Sequence, residues 1–540
     1  MKRVLCLVAL SPVLAFAQAS TVSSPLSIPG DAIDRVDRLR VLTGQLSADG
    51  ALLRVPAVRG ELNDSHNVAI RFLTPSLVAR WNSSLPWGGN DGMLRPTRGA
   101  NALLTAGMAI RAGRVSVVVA PQMAHEANRP FFVIPWDQTR ADHRSIWAHP
   151  YLPRPESADW PLRFGDRPRT SLGWGQSRVS IDLARNARLG FSNENRWWGP
   201  SAFNALLLSS NAPGFAHAFV EMPKPWRTRT GSFEAQYLLG TLRESAFFDL
   251  DRSNDSRTLS AVAVVWRPLE RLEFLPTLGI ARAVMSPGTP GVDDLLGAFQ
   301  DVGRPVSRPG DIVRHGARDQ ITDLFLRWAV PESGVEAYAE WARYEFPSSF
   351  RDFIEFPGHS QGYTVGFQVA RKSWRASTLH LQSEFTYTEP SPSLRVRPVA
   401  LAYTSPAMPQ GWTHDGQMLG PVIGPSGSSQ HLAAEWHGRE RRLGVSFTRV
   451  RWLNGPLFTE VVPGEQGKFP DLSLMGSLRA ALPLFGMGTE IEIARGVRLA
   501  YFNQSLLRDP IRAYYDGIDY RIWSLSLTLT PSTQRFFFRP

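Results

Sequence analysis

From about residue 68 to residue 530, apolar side chains recur at alternate positions in runs of about 8 to 12 residues, the period of an extended strand. The last run is the clearest. Trp523, Leu525, Leu527 and Leu529 alternate with Ser524, Ser526, Thr528 and Thr530. Elsewhere Phe233, Ala235, Tyr237 and Leu239 alternate with Ser232, Glu234 and Gln236, while Val335, Ala337, Ala339 and Trp341 alternate with Glu336, Tyr338 and Glu340. Ile491, Ile493 and Val497 likewise oppose Glu490, Glu492 and Arg498. One face suits lipid and the other a wet interior; a soluble sandwich would not need so many charges on its inner row.

Connector lengths carry the same message. Short ones at Arg111–Arg114, Ala184–Arg188, Arg267–Arg271, Pro331–Gly334, Arg371–Ser377 and Gly438–Arg442 alternate with long ones near 81–102, 122–176, 194–215, 284–319, 389–429, 453–471 and 503–518. Short periplasmic turns and long outer loops are the habit of transmembrane barrels. The walk predicts strands near 68–78, 103–110, 114–121, 177–183, 187–193, 216–222, 231–243, 258–266, 272–283, 320–330, 335–345, 361–370, 378–388, 430–437, 443–452, 472–481, 488–500 and 520–530. The fold class is therefore all-β: a transmembrane antiparallel β-barrel of about 18 strands over residues 67–540, both termini on the periplasmic side.

Ahead of the barrel the period changes. Ile33, Val36, Leu39 and Leu42 recur at helical spacing between Gly30 and Gly44, so residues 18–66 are expected to form a small periplasmic helical segment against the barrel's lower mouth. Asp293–Phe299 is a second helical candidate, inside a long outer loop. Met1-Lys2-Arg3, the apolar run Val4–Leu14 and the small residues Ala15 and Ala17 read as an export signal over residues 1–17. The single cysteine, Cys6, lies within it, so the exported chain is expected to carry no disulfide. The net charge is +11, and only Lys2, Lys224, Lys372 and Lys468 are lysines among 59 basic residues. Arginine forks match carboxylates, so a basic rim would suit an acidic polymer; interleaving with acidic residues argues against nucleic acid.

Chemistry for turnover is thin. Glu336 and Glu340 are about 13 Å apart along a strand, beyond the separation a glycosidase uses, and Glu490 and Glu492 at about 7 Å have arginine neighbours to pair with. No G-x-S-x-G, H-E-x-x-H or ordered Cys/His cluster occurs. Neither a cofactor nor a metal is expected, and the chain is read as a non-enzyme.

One segment is more specific. Asn193–Phe215, NENRWWGPSAFNALLLSSNAPGF, resembles the WWGP-x-x-N-x-L-L-L-S-N-N signature of the capsule assembly Wzi family, with Ser210 where Asn is common. His414–Pro425 and Glu336–Phe367 resemble two further blocks of that family. The resemblance implies an 18-stranded outer-membrane barrel with small periplasmic helices, and a non-catalytic lectin that holds capsular or other surface polysaccharide at the cell surface. Its partners would be that polysaccharide and outer-membrane lipid, with the protein a monomer. Trp rings stack on sugars and Asn side chains pair with hydroxyls. The candidate contacts are therefore Asn193, Arg196, Trp197, Trp198, Asn204 and Asn211, with Trp136, Trp147, Tyr151 and Trp160 in the 122–176 loop. The Trp pair would equally serve as an interfacial anchor, His217 and His359 are read as structural, and an open lumen would make the barrel a porin for sugars or small solutes instead.

Overall fold

The computed structural model describes residues 24–538 apart from 59–67, 132–157, 162, 249–251, 270–274, 301, 304–317, 348, 375–376, 396–400, 406–407, 453, 455–469, 502–518 and 531–536. The expected export signal, Trp136, Trp147 and Tyr151 lie outside these residues.

Alternation along the chain becomes a closed antiparallel barrel. Its strands are β1 (Val68–Asn82), β2 (Gly99–Ala112), β3 (Val115–Val119 and Gln122–Glu126), β4 (Arg169–Gly173 and Arg178–Ala184), β5 (Ala187–Ser192) and β6 (His217–Glu221 and Trp226–Thr228). Next come β7 (Gly231–Arg243), β8 (Ser256–Pro268), β9 (Thr277–Pro287), β10 (Asp319–Val330), β11 (Val335–Arg343) and β12 (Gln361–Ser373). The circuit ends with β13 (Ser377–Tyr387), β14 (Ser428–His437), β15 (Arg442–Trp452), β16 (Asp471–Leu484), β17 (Met487–Leu499) and β18 (Tyr520–Thr530). Pairing of Leu77 with Leu529 and of Trp81 with Leu525 closes β18 onto β1. Full closure leaves no sheet edge in contact with hydrocarbon, which is what permits strands to cross a bilayer. Trp523, Leu525, Ile491 and Ile493 face outward and are exposed, as the alternation predicts.

Three strands are built from two pieces each, and this corrects the connector expected at 122–176. Both pieces of β3 pair with β2, and the pieces of β4 pair with those of β3. Pro121 stands between the β3 pieces; lacking an N–H, it interrupts the ladder there. The outer connector therefore starts after Glu126 and ends before Arg169.

Helix α1 spans Ala32–Leu42, with Asp31 at its N-cap accepting the Asp34 N–H at 2.7 Å. Val36, Leu39 and Leu42 pack on Ala370 and Phe538, while Ala32 and Ile33 pack on Ala481 and Phe537. Those partners sit beside the short turns, so α1 stoppers the expected periplasmic end. The aromatic tail that follows β18 thus lies under α1, where the Phe537 carbonyl accepts a hydrogen bond from Arg40.

The inner wall has two characters. Over β13–β18 it carries the expected charges. Over β7–β11 apolar residues are interleaved with the polar ones: Leu238, Leu242, Leu259, Ala261, Val265, Met285, Ile321 and Phe325 point inward and are buried beside Gln236, Asp323, Glu336 and Glu340. The wet interior expected all round is corrected in that sector, because loop residues fill it as a protein core.

Candidate functional site

The segment 193–215, expected as an outer loop, turns inward and crosses the lumen. Trp197 and Trp198 pair as a two-residue strand with Arg54 and Leu53. Both indoles are completely buried. The Arg54 guanidinium lies 4.5 Å over the Trp197 ring, and Trp198 Nε1–H donates to Gln236 Oε1 at 2.8 Å. These rings are shut inside the barrel, so they neither face a polymer nor sit in a lipid girdle. One tight position enforces the turn: Gly199 has φ +103°, and a Cβ there would stand 2.3 Å from Glu340 Oε1.

Carboxylates of the far wall hold the segment's backbone. Glu340 accepts the N–H groups of Ser201 at 2.8 Å and Leu206 at 2.9 Å. Glu384 accepts those of Ala202 at 2.7 Å and Asn204 at 2.7 Å, together with the Tyr338 hydroxyl at 2.8 Å. A charged acceptor serving several N–H groups forms strong bonds in so dry a setting. From the helix side, Arg38 donates to the carbonyls of Pro200 and Ser201. Thus Glu340, read beforehand as half of a failed carboxylate pair, is a clamp, while Glu336 pairs with Arg327 at 2.6 Å.

The remaining named residues of the segment also lie against partners inside the barrel. Arg196 donates to Glu221 Oε2 at 2.8 Å and to His217 Nε2 at 3.1 Å, its guanidinium 4.5 Å over the Phe219 ring. Asn204 Nδ2 donates to Ser429, and its Oδ1 accepts the Val422 N–H at 3.0 Å. Asn211 Nδ2 donates to the Met418 carbonyl at 3.0 Å. Asn193 is half-buried at the segment's start. Its carbonyl would lie 1.8 Å from a Cβ at residue 214, which is why a glycine stands there. The 414–425 block closes over the same segment: Ser209 N donates to the Leu419 carbonyl at 2.8 Å. His414 Nδ1 accepts the Arg243 N–H at 3.0 Å, and burial pushes its pKa down to about 4.

Against the charged sector remains a cavity of about 310 Å³. Arg479 bridges Glu435 at 3.0 Å and Glu492 at 2.9 Å on its wall, and Glu490 lies between Arg35 and Arg442. The arginine neighbours foreseen for Glu490 and Glu492 are therefore in place. Among the described residues, His380, Glu435 and His437 bring possible metal-ligand atoms within 4.8 Å of one another, although Glu435 is already engaged by Arg479.

Aromatic surface is found higher up. Trp160 lies 6.1 Å from Trp452, centroid to centroid, and both are half-buried. Trp87, Phe131 and Tyr520 join them around a small core of Leu85, Tyr501 and Ile522. Trp87 and Trp452 also line the cavity. Of the seven named contact residues that are described, Trp160 belongs to this group. Trp452 and Tyr520 went unnamed because each reads as the outer end of a strand, and Trp87 because it lies inside the 81–102 connector.

Among curated proteins none matches the chain. A solved structure from Escherichia coli, described as Wzi, an outer membrane protein involved in group 1 capsule assembly and a carbohydrate-binding β-barrel, superposes with a TM-score of 0.53 at 10% identity, covering 94% of this chain and 90% of that one. OccK7 (OpdD) of Pseudomonas aeruginosa gives 0.37 at 8% identity over 85% and 98% of the two chains, and OccAB2 of Acinetobacter baumannii 0.39 at 8% over 85% and 97%. Residues 96–486 match the capsule assembly protein Wzi family, a span that takes in the lumen-crossing segment, its carboxylate clamps and the block that closes over them. The chain belongs to the capsule assembly protein Wzi family.

Proposed function

We propose that this protein is a non-catalytic outer-membrane barrel that binds and organises capsular or other surface polysaccharide, acting as a monomer. The observation that carries the reading is the lumen-crossing segment: Glu340 and Glu384 hold the backbone of residues 201–206 across the barrel, and α1 stoppers the other end. A porin would keep that path clear. Polymer contact then falls to the outer aromatic cluster, where Trp160, Trp452, Trp87 and Tyr520 offer flat faces beside arginines. Arg498, itself held by Asp471 at 2.7 Å, lies 5.1 Å over one face of the Trp452 ring and fixes its orientation. Each sugar unit would gain little, and a repeating polymer would gain by repetition.

The test pairs conductance with binding. In planar bilayers the purified protein should show no steady open current, and it should retain isolated surface polysaccharide from a capsulated Gram-negative strain. Steady currents would install the porin reading in its place, and retention unchanged by Trp160→Ala combined with Trp452→Ala would move the contact site elsewhere.

A further inference from the structure

The outer wall over β7–β10 is not uniformly apolar. Cross-strand partners form rows around the barrel. Two rows toward the short-turn end, Phe233–Trp266–Leu278–Leu326 and Ala235–Val264–Ile280–Leu324, are apolar, and Leu278, Ile280, Leu324 and Leu326 are exposed. The next two rows read Tyr237–Val262–Arg282–Thr322 and Leu239–Ser260–Val284–Gln320. These also point outward, yet Ser260, Arg282, Val284 and Gln320 are buried.

What covers them is the connector after β9. Its 3-10 helix, Val292–Phe299, lies flat on the outside of the barrel. Arg282 donates to the carbonyls of Ala298 at 2.8 Å and Gln300 at 2.6 Å, and to Gln320 Oε1 at 2.8 Å. Ser260 Oγ accepts the Ala298 N–H, Ser286 donates to Asp294, and the Tyr237 hydroxyl donates to the Leu295 carbonyl at 2.7 Å. Phe299 stacks on Tyr237 with centroids 5.8 Å apart. Gly297 allows this approach, since a Cβ there would be 3.2 Å from Ser260 Cβ.

Apart from Phe299, whose ring rests on Tyr237, the large apolar side chains of the helix turn away from the wall. Val292 is 82% exposed and Leu296 61%, with Leu295 and Phe299 also exposed. A soluble loop gains nothing from such a display. We infer that Val292–Phe299 is a lipid-contacting flap seated in the outer leaflet, its exposed face binding acyl chains. Continuity names the occupant. The exposed rows below supply only the lower part of an apolar belt, and the flap continues that belt over a sector whose wall carries arginine. An arginine facing hydrocarbon is costly. Here its donors are consumed by the flap's carbonyls, so the flap exchanges a polar surface for an apolar one. A segment lying in the interface with one side buried in acyl chains follows the same physics as other amphipathic interfacial helices.

Cys6 is the chain's single cysteine, so Leu296→Cys in a Cys6→Ser background offers one labelling position. The labelled protein is placed in phosphatidylcholine vesicles with brominated acyl chains, and heat-modifiable migration confirms a folded barrel. A label on residue 296 should lose at least half its emission to the brominated lipid, as an Ile280→Cys belt control does, and should resist aqueous iodide. Quenching by iodide with none by brominated lipid would overturn the inference. So would protection of the label from both quenchers together with disulfide-linked dimers of the unlabelled Leu296→Cys protein under a mild oxidant, which would make the face a contact between copies.

Discussion

Arg196 and Glu221 form an ion pair at 2.8 Å inside the barrel, with the arginine side chain wholly out of solvent. Arg196 belongs to the segment that the sequence marks most strongly, and Glu221 to the wall strand β6 that follows it. The pair ties the start of the lumen-crossing segment to the barrel beside it. Removing Glu221 strands the buried guanidinium, which costs about 3–5 kcal/mol, whereas removing Arg196 leaves Glu221 with Arg188 at 3.5 Å and costs less. Arg196→Ala and Glu221→Gln should each lower the temperature at which the heat-modifiable band is lost, and the double variant should fall by less than the sum of the two.

The clamp carboxylates predict a gain of conductance. Glu384→Ala strips the acceptor from the N–H groups of Ala202, Phe203 and Asn204. Each unsatisfied buried donor costs about 1–3 kcal/mol, so the crossing segment should leave its seat part of the time. Single-channel recording should show openings in Glu384→Ala that the parent protein lacks.

Two kinds of tryptophan should separate cleanly. Trp198→Ala empties a fully buried site and should cost about 3–5 kcal/mol, seen as loss of folded barrel. Trp160→Ala removes a half-buried ring and should leave thermal stability nearly unchanged while weakening polysaccharide retention by roughly twofold to tenfold, the scale of one aromatic stacking contact.

His414 predicts an acid-sensitive step. Its pKa is about 4 in the fold against an ordinary 6.5, because burial opposes the charged ring. A depressed histidine stabilises fully above 6.5, and that contribution is lost as pH falls through 6.5 toward 4, since the unfolded chain then binds the proton more readily. The amount is on the order of 3 kcal/mol. Melting followed from pH 7.5 to pH 4.5 should show a shallower decline in His414→Gln than in the parent.

A last prediction concerns Gly199. With φ +103° and Glu340 Oε1 only 2.3 Å from where a Cβ would stand, Gly199→Ala should disturb the clamp as well as the backbone. Its effect on thermal stability should shrink when Glu340→Gln is already present, since the two share one contact.

The barrel was legible because alternation is a local signal repeated many times. Boundaries of β7 and β18 agree with the sequence reading; β1 runs further toward the outer loop, and β2 runs further at both ends. In β3 and β4 the strands near 114–121 and 177–183 were read, but the second pieces, Gln122–Glu126 and Arg169–Gly173, were missed, because five residues carry too few alternations to stand out. The inward turn of residues 193–215 was hidden for another reason. Trp, Asn, Gly and Pro compose a buried plug as readily as an outer loop, and what distinguishes them, Glu340 and Glu384, lies well over a hundred residues away. A weak trace existed in β7–β10, where Leu259–Trp266 is apolar on both faces, the mark of a strand buried on its inner side.

The packing of Phe537 and Phe538 beneath helix α1 sets an order on how the molecule is made. Residues some five hundred positions apart in the chain share one seat, against Ala370 of β12 and Ala481 of β16. The helix is synthesised first, yet the aromatic part of its seat arrives last. Final docking of α1 is therefore a contact of the longest sequence separation available, and such contacts form late because so much chain must be brought together beforehand. Until the last strand is in place, the stopper has only half its socket, and the barrel's own closure completes it.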